Sequence, residues 1–273
     1  MSAHLERAQL LLAQSRPAEA EREVMQALNS APPDAHALSL LALSRIEQGK
    51  RDSALTAARE AVSLAPDVAH HHFVHADVLH RLDRPDEAFQ AVQEALRLDP
   101  ADADNHALLA AIELSRRDWP QALAAAERAL ALNAEHVAAL NLRSIALVRL
   151  GRKAEAMAAV DFALHRQPEN AFSHANQGWN HLHRNQPRPA QEHFREALRL
   201  NPNLEYAREG MLEALRARHP LYRGMLAYFL WMGRQSLRLQ WLLILAVFAG
   251  TAVIRGVALA HPGLEWLWWT LLG

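Results

Sequence analysis

Sixteen histidines and no cysteine in 273 residues make imidazole the side chain to examine first for chemistry. The densest run is His70, His71, His72 and His75, with His80 further on. On a helix His71 and His75 lie four apart and share a face, a spacing that lets two imidazoles reach one divalent metal. A metal site needs more converging ligands and an oriented outer shell. His70 and His72 point elsewhere on such a helix, Asp77 is off the His71/His75 stripe, and no thiol exists. The run is therefore read as surface and packing histidines, with no metal and no cofactor expected. Nucleophilic chemistry fares no better. Serines occur singly, outside a Gly-x-Ser-x-Gly turn. Gly49, Gly151 and Gly178 are isolated, so no glycine-rich phosphate loop is present. No strand is expected. The residue types exclude a recognisable enzyme, and no small-molecule substrate is expected.

The elements that must position these side chains show in the spacing. Ala20, Ala54, Ala88, Ala122, Ala156 and Ala190 recur every 34 residues. So do Ala27, Ala61, Ala95, Ala129, Ala163 and Ala197, and the series Ala8, Ala42, Ala76, Ala110, Ser144, Gly178. A fourth column reads Pro32, Pro66, Pro100, Ala134, Pro168, Pro202. Such self-similarity is the mark of a repeat architecture. Each unit reads as two helices, over about positions 1–14 and 18–31. Position 15 between them holds Ser15, Gly49, Asp83, Arg117, Gly151 and Asn185; glycine, aspartate and asparagine there tolerate the left-handed backbone that ends a helix. Pro17, Pro85 and Pro187 then sit where a helix start needs no N–H. Alanine columns mark close helix approach, and position 28 (Leu28, Val62, Leu96, Leu130, Leu164, Leu198) is read as the apolar bulk. One hairpin cannot bury that face, so hairpins stack.

At these columns the chain resembles the tetratricopeptide repeat (TPR) family, over about three quarters of its length. Position 4, often tryptophan in that family, is His4, Leu38, His72, His106, Leu140 and His174 here. The resemblance implies an all-α fold, a right-handed alpha-alpha superhelix of six hairpins (1–34, 35–68, 69–102, 103–136, 137–170 and 171–204) with a capping helix at 205–218. It also implies a concave groove that holds a protein or peptide partner, lined by the first helix of each unit. The matching positions give Phe73, Asp77, His80, Asn141, Arg149, Phe172, Trp179 and His183 as candidate partner-binding residues. Phe73, Phe172 and Trp179 are the expected anchors, since desolvated aromatics carry much binding energy. For Trp179, packing between neighbouring helices is an equal reading. The lysine and asparagine clamp that some relatives use for acidic chain ends is missing.

Composition changes after His219-Pro220. Five of the seven tryptophans lie between Trp231 and Trp269. Residues 219–238 read as an interfacial, juxtamembrane segment or as an extra solenoid helix. Residues 239–260 hold Arg255 as their only charge. As a helix they would be roughly 33 Å long, enough for a bilayer core of about 30 Å. They are read as a transmembrane helix that meets the lipid bilayer. Residues 264–273 resemble the start of a second span or a tryptophan anchor. Arg223, Arg234 and Arg238 precede the span, and with no signal peptide at the N-terminus they place the solenoid in the cytoplasm of a bacterium, at the inner membrane. A net charge of −1 gives no electrostatic footprint for nucleic acid. The expected function is a membrane-anchored scaffold for protein–protein interaction. Two alternatives stay open: a soluble adaptor whose apolar tail occupies its own groove, and an assembly chaperone for membrane-protein clients.

Overall fold

Six tight turns of one kind set the architecture. In each, the residue at position 15 adopts a positive φ: Ser15 at 57°, Gly49 at 73°, Asp83 at 58°, Arg117 at 61°, Gly151 at 83° and Asn185 at 64°. Each turn carries the same pair of backbone bonds. At the second, Lys50 N–H donates to Arg45 C=O at 2.9 Å and Gly49 N–H to Ile46 C=O at 3.0 Å. These are the two bonds of a Schellman cap, which satisfies the carbonyls a helix end leaves open. The sequence signals four of the six; Ser15 and Arg117 take the same backbone against their own preference, because the stacked hairpins fix it.

The computed structural model describes residues 3–30, 32, 34–217 and 231–233. Residues Met1–Arg218 form one unit and His219–Gly273 another. The described part of the first unit holds thirteen helices: α1 (Ala3–Ala13), α2 (Pro17–Ser30), α3 (Ala35–Glu47), α4 (Arg51–Leu64), α5 (Ala69–Arg81), α6 (Pro85–Leu98), α7 (Ala103–Ser115), α8 (Trp119–Leu132), α9 (Val137–Arg149), α10 (Lys153–Arg166), α11 (Ala171–His183), α12 (Pro187–Leu200) and α13 (Glu205–Arg216). Each odd-numbered helix up to α11 packs on the helix after it, and each from α3 to α13 on the helix before it and the odd-numbered helix one unit back. The first helices thus form one continuous layer and the second helices the other. Among the described residues no helix is long and apolar enough to cross a membrane. The expected span at 239–260, the segment 264–273 and most of 219–238 lie outside the described residues.

The alanine columns are where the layers meet. Ala20, Ala54, Ala88, Ala122, Ala156 and Ala190 are all 0% exposed. Position 28 differs from expectation: it is only half-buried in every unit. It stands about 100° round the helix from the buried alanine at position 27, at the margin of the outer layer. The buried bulk is instead at position 24 (Val24, Val92, Val160, Phe194) and on the first helices, in Val74, Leu79, Ile112 and Leu147.

Position 4 explains where the histidines go. The Nε2 groups of His72, His106 and His174 donate to the carbonyls of Pro66, Pro100 and Pro168 at 2.8, 3.0 and 2.9 Å. Arg208, at the same place in α13, donates to Pro202 C=O at 2.7 Å. Each bond ties a first helix to the loop that ends the unit before it. Unit four lacks its proline, and there His136 takes over: its Nδ1 accepts from Ala139 N–H at 3.1 Å while its Nε2 donates to Asp104 at 2.8 Å. These are structural roles for side chains that invite a chemical reading.

Arg117 is exposed and holds a backbone that costs an L-residue roughly 1 kcal/mol. Replacing it by glycine, Arg117→Gly, is expected to raise the urea midpoint by an amount corresponding to about 0.5 kcal/mol, after the extra chain entropy of glycine is offset. Gly49→Ala is expected to lower it by about 1 kcal/mol. Unchanged midpoints for both would show that the turns do not hold the hairpins.

Candidate functional site

The first-helix layer brings some of the expected residues together and separates others. On α1, α3 and α5, Gln9, His36, His70 and Phe73 form one strip. Gln9 Nε2 is 3.3 Å from His36 Nε2, and the His70 ring lies 6.1 Å from His36 and 6.3 Å from Phe73, nearly parallel to the latter. Burial, aided by His36, holds the His70 imidazole below its ordinary value, so it is neutral and fit for apolar or stacking contact. Further along α5, Asp77 pairs with Arg81 at 3.0 Å, and Arg81 reaches back to Glu47 on α3 at 2.6 Å. His80 beside them is half-buried, its Nδ1 has no hydrogen-bond partner, and burial pushes its pKa down.

His71 and His75 do not converge on one ion. The buried His71 bonds Ser39 on α3 through Nδ1 at 2.8 Å. His75 is half-buried among Arg59, His72, Arg84 and Glu87, which act on its charge. No group of three or more histidine or carboxylate residues suited to a metal occurs among the described residues.

At the other end of the layer an aromatic stack joins α11 and α12 to α13. The half-buried Trp179 lies 5.8 Å edge-on to Phe194 and 5.6 Å from the stacked ring of Tyr206, and its Nε1 donates to Tyr206 C=O at 3.2 Å. Phe172, 38% exposed, sits 5.5 Å from Tyr206. The packing reading of Trp179 therefore describes much of its surface. Tyr206 was not among the expected residues, although a 34-residue step from Phe172 leads to it. Phe194 also explains two glycines. A methyl group at Gly178 would stand 2.6 Å from its ring, and one at Gly210 2.2 Å. The large ring at position 24 of the last unit is matched by glycine on both facing helices.

Asn141 is 1% exposed and belongs to a polar ladder between α9 and α11. Its Nδ2 donates to Val137 C=O at 3.0 Å and to Ser173 Oγ at 2.8 Å, and its Oδ1 accepts from Asn176 Nδ2 at 2.9 Å. Beside it Asn180 Nδ2 donates to Ser144 Oγ at 3.1 Å, and Gln177 Nε2 to Asp161 at 2.5 Å. With its amide committed to its own helix and to α11, Asn141 offers little to a partner. The ladder was invisible in sequence, because an amide at a first-helix position reads as a groove group until its neighbours are known. A pocket of about 30 Å³ opens between α9, α11 and α13, with Ser144, Val148, Arg149, Asn176, Trp179 and His183 on its wall. The Arg149 guanidinium also lies 5.6 Å from the Trp119 ring.

A third histidine group lies on α11 and α12. His193 Nδ1 is 3.2 Å from His174 Nδ1, and its ring stacks on His181 at 5.4 Å. Burial, with His181 and His174 adding, pushes the His193 imidazole down from 6.5 to about 4. His75 falls to about 4 as well, mainly through burial.

The tetratricopeptide repeat family model matches residues 39–103 and 108–171. The fold is shared with solved structures. A chain of the APC/C hetero-tetramer Cut9–Hcn1 matches at TM-score 0.66 and 21% identity, over 78% of this chain and 42% of that one, so this chain spans under half its length. A tetratricopeptide repeat protein from Parabacteroides merdae ATCC 43184 matches at 0.66 and 16% identity, over 78% and 83%. PilW, a widely conserved type IV pilus biogenesis factor, matches at 0.62 and 19% identity, over 76% and 96%. No curated protein matches this chain. Identities this low speak for the fold alone.

The unfolded chain takes up protons at His75 and His193 before the folded chain does, so stability is fully present above the unfolded value of 6.5 and falls as pH drops toward about 4. Thermal melts across that window are expected to show the fall, with a shallower slope in a His75→Gln/His193→Gln variant. An identical slope would mean that neither imidazole is buried as described. In the same way Gly178→Ala is expected to cost about 1–3 kcal/mol by overpacking. Phe194→Val in the same chain should return part of it, measured as a double-mutant coupling.

Proposed function

We propose that this chain, whose repeats match the tetratricopeptide family, captures an extended or helical segment of a protein partner along its first-helix layer. The single observation that supports this most is the continuity of that layer, with apolar and neutral aromatic groups at both ends. Phe73 and the neutral His70 lie on α5, Phe172 and Trp179 on α11, and the Asp77–Arg81–Glu47 charges on α5 and α3 are already paired. Repeats of this family suggest a protein-interaction scaffold. A surface with few unpaired charges favours segments of mixed, largely apolar character over strongly acidic ends.

The tail supplies the second half of the proposal. Residues 239–260 have the length and apolar composition of a bilayer span, and basic residues flank one side. On this reading the scaffold works at the cytoplasmic face of a bacterial inner membrane. Tethering raises the local concentration of the partner there.

Two measurements test the two halves. Phe73→Ala and Phe172→Ala are each expected to weaken partner capture about tenfold without changing helix content, a usual effect for a contributing anchor. Unchanged capture by both would remove the first-helix layer as the site. Carbonate extraction of membranes should leave the full chain in the pellet and release a chain ending at Arg218. A full chain that stays in solution without detergent would replace the anchor by a tail that covers its own groove.

A further inference from the structure

Neighbouring first helices run in the same direction. Their second residues meet, His36 against His70 at 6.1 Å and Phe172 against Tyr206 at 5.5 Å. At their thirteenth residues Glu47 pairs with Arg81 at 2.6 Å. The inter-unit loops therefore border one edge of the first-helix layer and the hairpin turns the other. The two edges differ in charge. The loop stretches 31–36, 65–70, 99–104, 133–138, 167–172 and 201–206 carry eight acidic residues and no lysine or arginine. The turn stretches 14–19, 48–53, 82–87, 116–121, 150–155 and 184–189 carry ten basic residues and seven acidic ones. Late in the chain the loop acids are met from outside, Glu135 by Arg166 at 2.8 Å and Glu205 by Arg208 at 3.5 Å. At the starts of α3, α5 and α7 they are not. Among the described residues no lysine or arginine forms an ion pair with Asp34, Asp67, Asp99, Asp102 or Asp104, and Asp104 meets only His136.

This edge borders the ring strip of His36, His70 and Phe73. Asp102 is close enough to the His70 imidazole to act on its charge, and Asp34 acts on His71 in the same way. Asp104 keeps 72% of its side chain exposed beside its bond to His136, so its charge faces water. Helix capping accounts for part of the acidity: Asp34 accepts from His36 N–H and Asp102 from Asp104 N–H. Asparagine or serine caps a helix as well, so capping alone does not call for this charge. We infer that the His36–His70–Phe73 strip and the loop edge beside it form one docking surface for an extended partner segment that carries lysine or arginine next to aliphatic or aromatic residues. The apolar side chains lie on the rings, and the cations reach carboxylates that no base of the described residues occupies. An acidic segment meets like charge along the same edge. From α3 to α7 is two helix spacings, roughly 20 Å, which an extended chain covers in about six residues. The assignment rests on the groove reading above and narrows its partner.

The test measures fluorescence anisotropy of labelled, end-blocked peptides on the purified full chain. One probe repeats lysine and leucine; in two others glutamate or glutamine replaces every lysine, and in a fourth serine replaces every leucine. The lysine–leucine probe is expected to bind saturably and at least tenfold more tightly than the other three. A loop-edge variant, Asp67→Asn/Asp99→Asn/Asp102→Asn/Asp104→Asn, keeps the caps and removes four charges. It is expected to bind that probe about tenfold more weakly, the sum of several exposed charge pairs. The difference should close at about 0.5 M salt, where such pairs are screened. A turn-edge variant, Asp52→Asn/Asp83→Asn, is expected to bind as the parent does, and circular dichroism checks that all the chains stay helical. Equal weakening by the loop-edge and turn-edge variants would overturn the assignment, as would a glutamate probe that binds as well as the lysine one. If Phe73→Ala weakens the probe while the loop-edge variant does not, the charge preference falls and the groove reading stands. If no probe binds, the basic–apolar partner falls, and capture of the native partner by the Phe73 and Phe172 variants decides the groove reading on its own.

Discussion

Close approach of helix backbones is the constraint from which the rest follows. At positions 8, 20 and 27 two helices meet with nothing larger than a methyl or hydroxymethyl group between them, and these positions are buried throughout. Contact at that distance fixes the rotation of each helix. Once rotation is fixed, the same faces of α1, α3, α5, α7, α9 and α11 line up as one layer. The turn residue at position 15 must then take a left-handed backbone whatever its side chain, and Arg117 does so as Gly49 does. The last unit shows the rule from the opposite direction. Phe194 brings a ring to a place that holds valine or alanine elsewhere, and glycine at Gly178 and Gly210 makes room for it.

The repeat, its helices and its small columns were legible in the sequence because periodic steric demands leave periodic residues. The stop of each second helix was legible through proline. The half-burial of position 28 was not, since an aliphatic column reads alike at the centre or the margin of a contact. Nor was the role of the position-4 histidines. His72, His106 and His174 depart from the family pattern as residue types, yet each anchors a proline carbonyl one loop away, a contact that depends on loop shape.

The site was legible in part. Stepping through the groove positions found the exposed Phe172, and Phe73 beside the His70 ring. It also chose Asn141, whose amide turns out to be committed to Val137, Ser173 and Asn176. Amide partners are set by helix-to-helix register at the scale of an ångström, which a residue pattern does not encode. Tyr206 was missed because the capping helix was read as a cover, although it continues the first-helix layer by one more step. Trp179 shows that packing and exposure are compatible: its ring seals α11 to α13 and still borders a pocket.

The account stands on the first-helix layer as the face that meets a partner. Site-specific photocrosslinking in cells tests that directly, with a benzophenone side chain placed in the full chain at Phe73, at Phe172, or at Phe162 on the second-helix layer, where the native ring is 41% exposed. The account predicts a discrete crosslinked product from Phe73 and from Phe172 and none from Phe162. A product from Phe162 alone, or equal products from all three, would contradict it.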